Sequence, residues 1–349
     1  MSQEAGLVPD RATFTVSTEP FRRELLAHCY RMVGSVDEAE DLVQETFLRA
    51  WRAYDGFEGR SSVRTWLYQI ASNTCLTALE RSARRPLPSG LGGPGQEAGQ
   101  PPAADLDIPW LQPMPDALVT PESADPADIA VSRESLRLAL IASFQYLPPR
   151  QRAVLILRDV LAFPAADVAT MLGTTATAVK SALQRARARL LEAAPAPDRV
   201  AEPDEPEARA LLDQYIGAFE TADAAALERL LRADATLELP PSVAWFADGQ
   251  AIAGAVAGLG SPGDWRMVPT AANGQPAAAA YLRGGDGRYR AYGIVVLTVT
   301  PTGIAGIVVF ADPGLFASFG LPQVQPSGGV SSDRSFGLAA NPEGGTARG

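Results

Sequence analysis

From residue 36 onward, apolar positions recur at helical spacing. Ala39, Leu42, Val43, Thr46, Phe47, Ala50 and Trp51 make one stripe, and Glu40, Asp41, Gln44, Glu45 and Arg49 take the opposite face. That period predicts an amphipathic helix with one side on a core. Ser35-Val-Asp-Glu38 precedes it and reads as a capping box: Ser35 accepts from the Glu38 amide and the Glu38 carboxylate reaches back. The loop Tyr54–Ser62, with two glycines, leads to a second stripe of Leu67, Ile70, Ala71, Thr74, Cys75 and Ala78. Arg84-Arg85-Pro86 ends it, because proline disfavours a helical residue before it. Helical spacing returns over 132–195. Leu136, Leu140, Phe144 and Leu147 mark one helix; Val154, Leu155, Leu157 and Leu161 mark the next. Pro164 to Leu190 then predicts two helices joined at Gly173, with Ala169, Gly173 and Val179 at helix-turn-helix spacing.

The period changes again after residue 207. Two helical stretches, 208–219 and 224–231, precede strand-like runs at 235–239, 278–282, 289–300 and 303–310. The last two are rich in Val and Ile, which suits a curved sheet buried on one side. Helices followed by strands predict an α+β domain. Residues 87–131 show no apolar period and are dominated by Pro, Gly and Ala, the composition of a linker. Trp110, Leu111 and Met114 interrupt it and predict a docking spot. The chain thus divides into an N-terminal tail (1–19), a helical unit (20–86), a linker (87–131), a second helical unit (132–195), a short linker (196–206), an α+β domain (207–320) and a disordered tail (321–349).

With 349 residues, several domains are indeed expected. The net charge of −10 argues against nucleic acid until its distribution is considered. Residues 86–131 hold seven acidic residues and no basic one, whereas 132–196 hold nine basic against four acidic. Lys180, Arg185, Arg187 and Arg189 concentrate that excess, and the local field governs phosphate binding. Two cysteines and one histidine exclude a disulfide framework, a four-ligand zinc site and any histidine-pair mechanism. No metal and no cofactor is expected. The chain lacks an apolar run of ~20 residues and begins without a basic, then apolar, leader. A cytoplasmic protein with no membrane partner is the expectation.

Three sets of residues carry candidate chemistry. The second helix of the helix-turn-helix presents Lys180, Ser181, Gln184, Arg185 and Arg187 on one broad face, types that reach base edges in a major groove. The loop at 54–62 sets aromatics (Trp51, Phe57, Trp66, Tyr68) beside Arg60 and Arg64, a combination suited to stacking unpaired bases. In the α+β domain, Asp213, Asp248 and Asp312 with Tyr215, Tyr281 and Tyr292 are the remaining acid–base candidates. The only histidine, His28, lies outside that domain, and the protein is read as non-enzymatic. Two other readings stay open: a stand-alone DNA-binding regulator, and a small-molecule-sensing or cyclase-like domain fused to a helix-turn-helix.

The runs Asp37–Trp51 and Phe57–Asn73 closely resemble region 2 of extracytoplasmic-function (ECF) RNA polymerase sigma factors. Leu147-Pro-Pro-Arg-Gln-Arg-Ala-Val-Leu-Ile-Leu-Arg158, with the helix-turn-helix through Arg189, resembles their region 4. Leu239-Pro-Pro, Trp245-Phe246, Trp265-Arg-Met-Val-Pro-Thr and Ala272-Asn-Gly-Gln-Pro-Ala277 resemble the SnoaL-like cone fold fused to some of these factors. The resemblance implies two all-α modules plus a C-terminal α+β cone, and promoter-specific transcription initiation with core polymerase. It implies that Asp41, Gln44 and Glu45 contact the β′ clamp and that region 4 meets the β flap. Phe57, Arg60, Ser61, Trp66 and Asn73 would take the −10 element, and Lys180, Ser181, Gln184 and Arg185 the −35 element. The acidic linker would thread toward the RNA channel. Tyr215, Trp245, Asp248 and Tyr292 would line a C-terminal pocket for a small ligand. Gln69 stands where the family commonly has arginine, and Asp248-Gly-Gln250 departs from its Arg-Gly-Arg-like pattern.

Overall fold

The computed structural model describes residues 11–95, 104–120, 133–193, 200–202, 205–258 and 260–325. Of the expected disordered tail (321–349), residues 321–325 are placed and Val324–Gln325 pair with Tyr289–Arg290, which corrects that bound; 326–349 and the linker stretches between these spans lie outside the described residues.

Helices α1 (Arg11–Thr18), α2 (Arg22–Val33), α3 (Val36–Ala53) and α4 (Val63–Leu79) build the first unit. Gly34, at φ +73°, turns the chain out of α2, and α3 starts immediately after it. The α3 stripe is buried as its period predicts, from Val36 and Ala39 through Ala50. Only half of the capping box forms: Ser35 Oγ accepts from the Glu38 amide at 3.2 Å, but the Glu38 carboxylate pairs with Arg85 at 2.9 Å. A charge-assisted bond to a guanidinium outweighs a neutral one to a backbone amide.

The described part of the linker carries the short helix α5 (Asp116–Val119) and contacts both the helical units and the C-terminal domain. Leu111 and Met114 are buried, so the docking spot exists. The second unit comprises α6 (Leu138–Gln145), α7 (Pro149–Leu155, continuing as a π turn over Ile156–Val160), α8 (Ala165–Met171) and α9 (Ala176–Ala193). Gly173 takes φ +59° at the turn between α8 and α9, while Ala169 and Val179 are buried where the two cross. The two helical units pack directly on each other. Arg152 of α7 is buried and donates to the Met32 and Leu147 carbonyls and to Gln145.

The C-terminal domain begins with α10 (Pro206–Glu220) and α11 (Ala224–Leu230). Its strands are β1 (Leu231–Glu238), β2 (Trp245–Ala247), β3 (Trp265–Ala272), β4 (Gln275–Arg283), β5 (Tyr289–Thr300), β6 (Gly303–Phe310) and β7 (Val324–Gln325), with α12 (Gly249–Ala257) after β2. The sheet order is β2-β1-β6-β5-β4-β3, with β7 paired to β5; only β1 and β6 run parallel. The strand β3 escaped the sequence pattern because Pro269 interrupts it; as the last strand in the order it has no neighbouring strand beyond it that needs an amide from Pro269.

The expectation of a sheet covered on one side is corrected. Alternate residues of β4 and β5 enter different cores: Ala278, Ala280, Val295 and Leu297 join the cluster under α10, whereas Ala277, Ala279, Tyr281, Ile294 and Val296 join the cluster that includes the helical units. Apolar residues on both sides of a pleated strand mean cover on both faces, which is why Ile294–Leu297 is an unbroken apolar run. Among the described residues no helix is long and apolar enough to cross a membrane.

Candidate nucleic-acid interface

The second helix of the helix-turn-helix, α9, is assembled as its spacing predicts. Val179, Leu183 and Ala186 of α9 face the core, which leaves Lys180, Gln184 and Arg185 exposed and Ser181 half-buried on one broad outer face. Arg187 is drawn aside by a bidentate pair with Asp159 at 2.7 and 2.8 Å. The free cationic face is therefore centred on the first turns of α9, the part of such a helix that reaches base edges.

The aromatic loop is also in place. Ser62 caps α4, accepting from the Thr65 amide at 3.0 Å. Phe57 lies against Trp66 with ring centroids 4.8 Å apart, and Tyr54 extends the group at 6.3 Å from Trp66. Phe14 of α1 packs edge-on against both Trp51 (5.2 Å) and Tyr54 (5.1 Å). Arg60 and Ser61 are exposed, with Arg60 paired to exposed Glu58 at 3.1 Å. Asn73, four residues beyond Gln69 on α4, does not point freely outward: its amide donates to the Met171 carbonyl of α8 at 3.1 Å. Nine residues earlier on α4, Arg64 sits over Tyr68 and Phe163, and Tyr68 meets Phe163 edge-on at 5.1 Å. Asn73, expected to meet one DNA element, is thus bonded to the helix-turn-helix expected to meet the other.

On α3, Asp41 and Gln44 are exposed and Glu45 is half-buried, tied to Arg49 at 2.6 Å. Leu48 is 48% exposed on the same side. Gln44 and Glu40 also border a groove of about 300 Å³ against Arg22, Arg23 and the linker residues Ala117 and Leu118. An acidic surface with an exposed leucine fits a basic protein partner with an apolar centre.

The C-terminal pocket is not assembled from its expected residues. Tyr215 and Tyr292 do sit at the two ends of a ring series, Tyr215–Phe219–Trp265–Tyr292, between α10 and the sheet. Burial pushes both phenols above their ordinary pKa. The adjoining cavity, bordered by Phe219, Leu227 and Trp265, has room for about 10 Å³, on the order of one water. Trp245 and Asp248 are elsewhere. The Trp245 indole donates to the Gly92 carbonyl at 2.9 Å, and its own carbonyl accepts from Gly95. Asp248 caps α12, accepting from Ala251 at 2.7 Å. Asp312 likewise caps a short turn through Gly314, and Asp213 is exposed. Aspartates engaged as caps at exposed positions are not the desolvated groups that base catalysis draws on.

Sequence reasoning missed the residues that join the units. Tyr30, Gln112, Leu136 and Asn273 meet in one buried hydrogen-bond network. Its only local signal was Asn273-Gly274, an ordinary hairpin dipeptide. The domain also grips the linker elsewhere: Glu238 accepts from the Ser89 amide at 2.8 Å, and the Pro241 carbonyl accepts from Asp105 at 2.8 Å.

Comparison with known proteins matches residues 18–85 to the family described as Sigma-70 region 2 and residues 137–190 to Sigma-70, region 4. The ECF RNA polymerase sigma factor SigG of Mycobacterium tuberculosis is 51% identical over 316 residues, covering 89% of this chain and 85% of that protein. SigJ of the same organism is 29% identical over 327 residues, 89% of this chain and 96% of its own. The crystal structure of SigJ superposes with a TM-score of 0.56 at 25% identity, covering 88% of this chain and 99% of that one.

Proposed function

The chain belongs to the extracytoplasmic-function RNA polymerase sigma factors, and from that premise we propose how its parts divide the work. Its partners are core RNA polymerase and promoter DNA. The boundaries 20–86 and 132–195 delimit the two sigma modules, and 207–320 delimits a SnoaL-like domain that modulates them. Asp41, Gln44 and Glu45 dock α3 on the β′ clamp, and the second module meets the β flap. Phe57, Arg60, Ser61, Trp66 and Asn73 capture the −10 element by stacking and polar contact with unpaired bases. Lys180, Ser181, Gln184 and Arg185 read the −35 element in the major groove.

The observation that carries this reading is the exposed Lys180–Gln184–Arg185 face of α9 in the same chain as the exposed acidic face of α3. A stand-alone regulator would need the first and have no use for the second. The cone domain works through its grip on the linker at Trp245 and Glu238 rather than by turnover; a cavity of about 10 Å³ gives a small ligand little room. The test is transcription with purified core polymerase across a promoter library, together with polymerase pull-down. Initiation by the wild type, and weakened pull-down by the Asp41→Ala, Glu45→Ala double variant, are expected. Wild-type protein that binds no core polymerase would overturn the proposal.

A further inference from the structure

The chain has 30 lysine and arginine residues, and Lys180 is the only lysine among them. The difference is chemical as well as geometric. A guanidinium keeps its proton and is no nucleophile, whereas a lysine amine releases its proton and attacks acyl groups. Apart from the amine at the N-terminus of the chain, Nζ of Lys180 is therefore the one aliphatic amine open to acylation.

Its place in the fold leaves it accessible. Val179 and Leu183, 1% and 9% exposed, anchor α9, and Lys180 lies between them in sequence on the outer side. Its ammonium makes no hydrogen bond or ion pair among the described residues, in contrast to Arg187, whose guanidinium is taken up by Asp159. From Ala176 to Leu191 the helix contains no acidic residue, and Arg185 and Arg189 add to its positive charge. Acyl phosphates and acyl-coenzyme A thioesters are anionic, so this field draws them toward the amine.

We propose that Lys180 is a modification site: its amine is acylated by an anionic acyl donor, and the acylated chain loses part of its hold on the upstream promoter element. The inference rests on the −35 role proposed above for Lys180 and adds its regulation. The ammonium first gives one proton to water. The amine lone pair then attacks the acyl carbonyl carbon and a C–N bond forms. The C–O bond of an acyl phosphate, or the C–S bond of a thioester, breaks; phosphate or thiol leaves with the electron pair and takes the second amine proton. The product amide is neutral and keeps one N–H donor where the ammonium had three. A guanine edge or a phosphate that met the cation is left without its partner.

Full-length protein is incubated with acetyl phosphate in one arm and acetyl-coenzyme A in the other, and its peptides are read by mass spectrometry. An acetyl group on Lys180 in either arm is expected. Holoenzyme carrying the acetylated protein should bind promoter DNA with a −35 element about ten-fold more weakly than the untreated form. Lys180→Arg keeps the cation and offers no amine at this position; its binding should ignore the donor, which separates Lys180 from the N-terminal amine. Lys180→Gln, which copies the neutral amide, should start at the weakened level, with a wild-type thermal transition confirming its fold. Labelling of the N-terminal amine alone in both arms overturns the site. Acetylated Lys180 with unchanged promoter binding, while Lys180→Gln binds weakly, overturns the regulatory effect. Promoter binding by Lys180→Gln equal to wild type strikes the −35 reading beneath, whereas the mass spectra still decide the modification.

Discussion

Asn73 on α4 donates to the backbone of Met171 on α8 at 3.1 Å, although the two residues belong to modules separated by the whole linker. Elsewhere between the two modules, Phe163 from the second fits under Arg64 and edge-on to Tyr68 of the first. Phe163 is 5% exposed. Its truncation removes a ring from a packed seam, which costs about 3–5 kcal/mol for a core phenylalanine. Phe163→Ala should lower the unfolding free energy by at least about 2 kcal/mol in urea titrations. A midpoint within error of wild type would mean that the two modules do not rest on this contact.

Lys180 and Arg185 stand free on the outer face of α9 and carry no packing role. Each alanine variant should cost about 1–3 kcal/mol in promoter affinity of the holoenzyme, with relaxed choice of the upstream element. Thermal stability should stay at the wild-type value. Equal transcription from −35-dependent promoters by wild type and both variants would remove α9 from the reading head.

Phe14 holds Trp51 and Tyr54 from outside the matched sigma region, at centroid distances of 5.2 and 5.1 Å. Phe14→Ala frees the loop that carries Phe57 against Trp66. Slower or weaker promoter melting, read by 2-aminopurine fluorescence in the −10 element, is expected at unchanged polymerase affinity. Phe14→Leu should restore part of the packing and part of the melting. Full melting by the alanine variant would show that α1 does not position the loop.

His28, the only histidine, is buried, with its Nε2 3.0 Å from Ser72 Oγ. Burial, reinforced by the neighbouring Arg31 guanidinium, lowers its pKa from 6.5 to about 3. The unfolded chain therefore binds a proton between these values that the folded chain does not. Stability is complete above pH 6.5 and declines as pH falls toward 3. Between pH 7 and pH 5 the loss from this group is about 2 kcal/mol. His28→Gln should flatten the urea midpoint over that interval relative to wild type; parallel pH profiles would assign the acid sensitivity to the carboxylates instead.

Local pattern was enough for the helical modules. The α3 stripe, the Ser35 half of its cap and the Gly173 turn all depend on residues within one or two turns of each other, and such interactions are written in neighbouring positions. The exposed face of α9 followed from the same periodicity, because burying Val179 and Leu183 leaves Lys180 and Gln184 outside. The strand β3 was hidden by Pro269, whose tolerance depends on being at a sheet edge. Trp245 and Asp248 looked like pocket residues, but one grips a carbonyl 153 positions earlier and the other caps its own helix.

Sequence alone therefore settled the module order, the exposed polar face of α9 and the concentration of positive charge on 132–196. Tertiary structure decided that the sheet is covered on both faces, that α4 leans on the helix-turn-helix, and that Asn273 reaches Tyr30 across 243 positions. The difference is one of range. Periodicity reports which side of an element is apolar, while the partner of a buried amide is chosen only when distant segments arrive at one place and every polar atom there must be satisfied.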